Sequence, residues 1–156
     1  MKSPFVLSHH PPSQLHRCVQ VGGVHLCARC LGVYPVMLAA IGVQIVLKAG
    51  LAWPADPWIA FLLPVPALVD WARGKLDPAT GSNASRLGTG ALLGLSLGRT
   101  IFLHLRRPGF ALTMAQLAAL AAVFLGVELL ARLRKRATDR KPPPDVPTSN
   151  RSGQGP

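Results

Sequence analysis

The chain has 156 residues, of which 49% are apolar, only 15% charged and 6% aromatic, with a mean hydropathy of +0.33. Such sparse charge excludes an ordinary water-facing surface, and one domain is expected at this length. The net charge of +11 does not point to nucleic acid, because the basic residues gather at the ends of apolar runs, where Lys and Arg meet lipid head groups.

In chain order, residues 1–30 read as an irregular, cytoplasmic, Cys/His-rich head. Pro4, Pro11 and Pro12 oppose helix there, and Gly22-Gly23 marks a turn. Around that turn Cys18-Val19-Gln20-Val21 and Val24-His25-Leu26 alternate weakly, so a short hairpin is expected that returns Cys18 toward Cys27. Three cysteines cannot close a disulfide framework, and fit reduced thiols or metal ligands better. Residues 1–29 are too long and polar for the basic region of a secretory signal, so the first apolar run is expected to remain as an anchor.

Four membrane spans follow over residues 31–136. The first, 31–47, is short for a hydrocarbon core of ~30 Å. The second, 51–69, starts near Trp53 and Trp58 as interface anchors, and Pro64 and Pro66 should kink or break it, leaving backbone carbonyls that need partners inside the protein. After a polar loop, Asn83 or Ser85 is expected to cap the third span, 87–105. Its Gly90, Gly94 and Gly98 at spacing four read as close helix packing in lipid. The fourth span is 110–130, a basic run at Arg132-Leu133-Arg134-Lys135-Arg136 closes it, and residues 137–156 read as a disordered tail.

The fold class is thus an all-α membrane protein of about four transmembrane helices. Lys2, Arg17, Arg29, Arg73, Lys75, Arg86 and the 132–136 run share one side, whereas Lys48, Arg106 and Arg107 lie near helix ends on the other, with Arg99 snorkelling toward them. This bias implies a multi-pass protein of the inner (plasma) membrane with both termini cytoplasmic. Its partners would be the lipid bilayer and either further copies of itself or another membrane protein.

The chemistry-bearing stretch is Cys27-Ala28-Arg29-Cys30. Two sulfurs at this spacing can bind one tetrahedral ion, zinc above all. Cys18 and His10 are the best residues to complete the set, with His9 and His16 in reserve; His25 lies in the same head. The same pair at a helix start can instead be a redox couple, because a helix N-terminus favours thiolate. Asp70, Asn83 and Arg86 should line a polar pocket at the same membrane boundary, near Glu128. Asp70 with Arg86, or Glu128 with Arg73 or Arg86, would form ion pairs there. No phosphate-binding glycine loop, nucleophile elbow or haem-attachment motif is present.

The stretch Leu26-Cys27-Ala28-Arg29-Cys30-Leu31-Gly32-Val33-Tyr34, with His10 upstream and Pro66, Asp70, Ser82-Asn83, Arg86-Leu87, Gly90 and Gly94 downstream, resembles a family of small prokaryotic membrane proteins catalogued as a domain of unknown function. His9-His10 stands where many relatives carry Cys-His, and Trp71 where they carry Gly after the Asp. The resemblance implies this fold and a shared pocket, and brings no activity. The leading expectation is therefore a membrane protein with a Cys/His metal site at the cytoplasmic face. The alternatives are a thiol oxidoreductase using Cys27 and Cys30, a small oligomeric transporter, and an assembly factor whose head docks a partner.

Overall fold

The computed structural model describes residues 17–22, 24–77 and 81–139. It is mostly helical, but not all-α. A two-stranded antiparallel hairpin, β1 (Cys18–Val21) and β2 (Val24–Cys27), leads into α1 (Ala28–Val46). The hairpin matches the sequence reading, and its register pairs Cys18 with Cys27 and Gln20 with His25. Gly22 turns it with φ +56, a conformation that costs glycine little.

The expected second span is broken in two. α2 (Asp56–Phe61) and α3 (Val65–Leu76) are separated at Leu62–Pro64. Proline has no N–H, so the carbonyl of Ala60, four residues before Pro64, loses its helical donor. That carbonyl is buried and accepts instead from Gln116 Nε2 at 2.9 Å and Ser96 Oγ at 3.4 Å. The orphan group finds its partners across the bundle, as burial demands.

α4 (Asn83–Arg106) is the central element, and α5 (Ala111–Asp139) returns beside it. Its cap is Ser82, whose Oγ accepts from Ser85 N–H, rather than Asn83 or Ser85. α1 and α4 run parallel at very close range. A Cβ on Gly90 would stand 2.7 Å from the Arg29 carbonyl, one on Gly94 would collide with the Val33 carbonyl, and one on Gly98 would lie 2.8 Å from the Ala40 side chain. Gly32 answers from α1 against the Leu87 carbonyl. Small residues thus let two backbones touch, which in lipid replaces hydrophobic burial as the source of packing.

The bundle has two ends. At the head end lie the hairpin, the start of α1 and α4, the end of α3 and the last turns of α5. At the far end, Asp56 of α2 meets Arg99 of α4, and Thr113 of α5 bonds the Thr100 carbonyl at 2.9 Å. Among the described residues two helices are long and apolar enough to cross a membrane: Ala28–Val46 and Ala111–Ala137. Only 11% and 6% of their most apolar windows are buried within the protein. Tyr34, Leu38, Val43, Leu117, Phe124 and Leu129 all face outward, and lipid is the solvent such faces match. α4 does not qualify by hydropathy, and it carries Arg86 and Arg99 buried inside the bundle.

Candidate functional site at the head end

The hairpin sets two thiols opposite each other, and the first turn of α1 adds a third. Cys18 and Cys27 are opposite partners and both are buried, a pairing that sets Cβ atoms roughly 5 Å apart. Cys27 is also the residue that begins α1, so Cys30 lies in the helix's first turn. Cys27 and Cys18 are both near enough to Cys30 to act on it electrostatically. All three are thiols, with no disulfide between them. Strand alternation puts His25 on the Cys18 and Cys27 face. Its Nδ1 is buried and has no partner among the described residues. No group of three or more His, Cys, Asp or Glu among the described residues is arranged as a metal centre. His9, His10 and His16 lie outside the described residues.

Around the thiols, Asn83 and Arg86 bond each other, and of the three predicted pocket residues Asp70 alone lines the cavity described below. Asn83 Nδ2 donates to the Cys18 carbonyl at 3.2 Å, stitching β1 to the start of α4. Arg86, buried, donates from Nη1 to Asn83 Oδ1 at 3.3 Å. Asp70 accepts from Ser85 Oγ at 3.5 Å and forms its ion pair with Arg29, not with Arg86. Glu128 also takes other partners than expected: Lys75 at 2.9 Å and Arg132 at 3.5 Å. Arg29 stands between the two cysteines in sequence, so its bond to Asp70 fastens the thiol-bearing turn to α3. The sequence reading used Arg29 only as a topology charge; a cation inside the Cys-x-x-Cys, facing a lone aspartate at the same depth, was the signal available.

Gly81 has φ +92, and a Cβ there would stand 3.3 Å from Arg86 and 3.4 Å from Asp70. The loop therefore lies close over these side chains. Asp70, Arg73, Asp77, Gly81, Ser85 and Thr89 line a cavity of about 750 Å³, within the usual range for small-molecule sites.

A second polar cluster, missed in the sequence, closes the far end. Arg99 Nε and Nη2 hold both oxygens of Asp56, at 2.7 and 2.9 Å. Its Nη1 donates to Gln44 Oε1 at 3.0 Å and its Nη2 to the Gly50 carbonyl at 3.0 Å. The Trp53 ring covers the guanidinium at 4.4 Å, a cation–π contact. Arg99 is only 3% exposed, so it does not snorkel. An Arg and an Asp at one depth of apolar segments are costly unless paired, and that pairing rule would have found them.

Bare apolar helices, a backbone-close helix pair and a thiol-bearing hairpin at one bundle end define a small helical membrane protein. Residues 13–100 match the family described as "Predicted membrane protein (DUF2085)", and the chain belongs to that family, whose function is unknown. No curated protein and no solved structure matches the chain.

Proposed function

We propose that the chain is a four-pass membrane protein whose hairpin binds one soft divalent ion, zinc in the first instance, through Cys18, Cys27 and Cys30 at the cytoplasmic face. The observation that supports this reading is that Cys18 lies opposite Cys27 on the hairpin and that Cys30 follows in the first turn of α1. Thiolates select soft ions, and structural zinc sites of three Cys and one His are well known. The fourth ligand comes from His10 or His9 of the preceding segment, or from His25, whose unpartnered Nδ1 shares the hairpin face. Binding would draw the thiols into a tetrahedral set and clamp the head over the Asp70, Asn83 and Arg86 pocket. Asn83 and Arg29 would then support the ligands from behind, as outer partners do in metal sites.

The four passes use α1, α2 with α3, α4 and α5. The excess of Arg and Lys at the head end supports a cytoplasmic position for that end. Elemental analysis of anaerobically purified protein tests the metal: about one ion per chain is expected in the wild type, falling to background in Cys27→Ser/Cys30→Ser. Background metal in the wild type defeats the proposal. The place of Cys27 and Cys30 together at the start of α1 favours a second reading, a thiol redox pair. Alkylation trapping that finds a reversible Cys27–Cys30 disulfide, with no metal, would select it.

A further inference from the structure

α3, α4 and α5 leave a groove of about 520 Å³ between them, lined by Leu68, Trp71, Leu93, Leu120, Phe124 and, as its one charged residue, Arg29. Its walls are apolar, and Phe124 and Leu125 on its α5 side are half or more exposed. Trp71 and Phe124 stack across it with centroids 5.3 Å apart, tying α3 to α5. Arg29 uses Nη2 on Asp70, while its Nε is buried with no partner among the described residues. Helical spacing carries the same two walls on toward charge. Lys75 is one turn beyond Trp71 on α3, and Glu128 and Arg132 are one and two turns beyond Leu125 on α5. The described residues of this end hold Arg17, Arg29, Arg73, Lys75, Arg86, Arg132, Arg134, Lys135 and Arg136 against Asp70, Asp77, Glu128 and Asp139, a clear cationic excess.

We infer that this groove is a binding site for one anionic phospholipid, with an acyl chain along Leu68, Leu93, Leu120 and Phe124 and its phosphate at the Arg29 end. The inference rests on the membrane reading and is independent of the metal. Water gains nothing in an apolar groove, so hydrocarbon fills it in a bilayer. The charge at its end sets which lipid stays: basic residues at a membrane boundary recognise anionic head groups. Phosphatidylcholine carries the same phosphate, so that acceptor alone does not choose between lipids; its choline cation is repelled by the cationic excess of this end, which selects the anionic head group.

The test is native mass spectrometry of the full chain released from mixed micelles holding equal phosphatidylglycerol and phosphatidylcholine. The wild type should retain one phosphatidylglycerol in preference to phosphatidylcholine. Ala121→Phe, which fills the groove and leaves Arg29 and Asp70 intact, should lose that lipid while keeping the wild-type helical circular dichroism. Arg29→Gln should cut the preference about fivefold, the scale of one surface cation at an anionic membrane. Equal retention of the two lipids, or undiminished phosphatidylglycerol on Ala121→Phe, overturns the inference. Because Ala121→Phe leaves the ion pair untouched, it decides the matter even if Arg29→Gln fails to fold. Val43→Phe, on the outward face of α1, is the control and should retain lipid as the wild type does.

Discussion

The two ends of α4 solve the same problem differently. Each end sets an arginine against an aspartate of α2 or α3: Arg99 with Asp56, both buried, at the far end, and Arg29 of α1 with Asp70, both partly exposed, beside Arg86 at the head end. At the far end, Nε, Nη1 and Nη2 of Arg99 all have acceptors, and an indole closes over the top. At the head end Arg29 keeps an unpartnered Nε, Asp70 borders an open cavity, and three thiols stand beside it. A buried polar group that is fully paired fixes structure. One that is left with spare valence at a cavity is available for binding. The far end is a lock, and the head end carries the candidate site.

Breaking the lock should therefore cost the most. Removing one partner of a buried ion pair leaves the other charge stranded, at about 3–5 kcal/mol. Arg99→Met should sharply lower the thermal unfolding midpoint in detergent, and adding Asp56→Leu should recover much of the loss, since an apolar pair of similar size needs no desolvation. Asp70→Asn at the partly exposed head end should cost much less. Equal losses at the two ends would erase the distinction between lock and site.

The helix pair that joins the two ends gives the next largest effect. Gly94→Ala drives a methyl into the Val33 carbonyl, and overpacking of this kind costs about 1–3 kcal/mol. Gly88→Ala and Gly42→Ala meet nothing within 4 Å and should unfold as the wild type does. A Gly94→Ala midpoint equal to that of Gly88→Ala would show that α1 and α4 do not touch through their backbones.

Much of the head end was legible in the sequence because its signals are local. The Gly22-Gly23 turn fixes the hairpin, the hairpin fixes Cys18 opposite Cys27, and the proline pair announces a break whose freed carbonyl needs a partner. The glycines at spacing four announced close packing. What the sequence did not disclose is pairing at a distance. Arg99 and Asp56 are 43 residues apart, and only their equal depth in the bundle links them. Arg29 and Asp70 are 41 apart, and near Asp70 the more obvious cation was Arg86. The four-span expectation treated apolar length as the criterion. α4 instead hides two arginines inside the bundle, and the stretch expected as the second span is two short helices held by side-chain bonds.

The freed Ala60 carbonyl tests how the broken pass is held between the two ends. Gln116→Leu removes its 2.9 Å donor and also the 2.7 Å bond from Gln116 Nε2 to Ser96 Oγ. An acceptor left with a single long bond costs about 1–3 kcal/mol. The loss should appear as lower thermal stability with the hairpin undisturbed, so alkylation of Cys18 and Cys27 in the folded protein should keep its wild-type rate. Faster alkylation would mean that the middle of the bundle positions the head.

The smallest change falls on the link between hairpin and bundle. Asn83→Ala removes the side-chain bond to the Cys18 carbonyl and the acceptor for Arg86 Nη1. The bond from the cationic Arg86 lies within α4; the one to the hairpin is neutral and contributes about 1 kcal/mol, too little to unfold helices fixed by the Arg99 lock and the glycine contacts. That energy does act on the hairpin itself, a two-stranded unit with little stability of its own. Loosening it by about 1 kcal/mol raises its open population roughly fivefold. Maleimide labelling of the buried Cys18 and Cys27 should accelerate by that factor, while labelling of the partly exposed Cys30 changes less and helical circular dichroism stays constant. If all three thiols keep their wild-type rates, Asn83 does not hold the head. If all three speed up together with loss of helix, the head end is part of the lock, and the contrast between the two ends of α4 disappears.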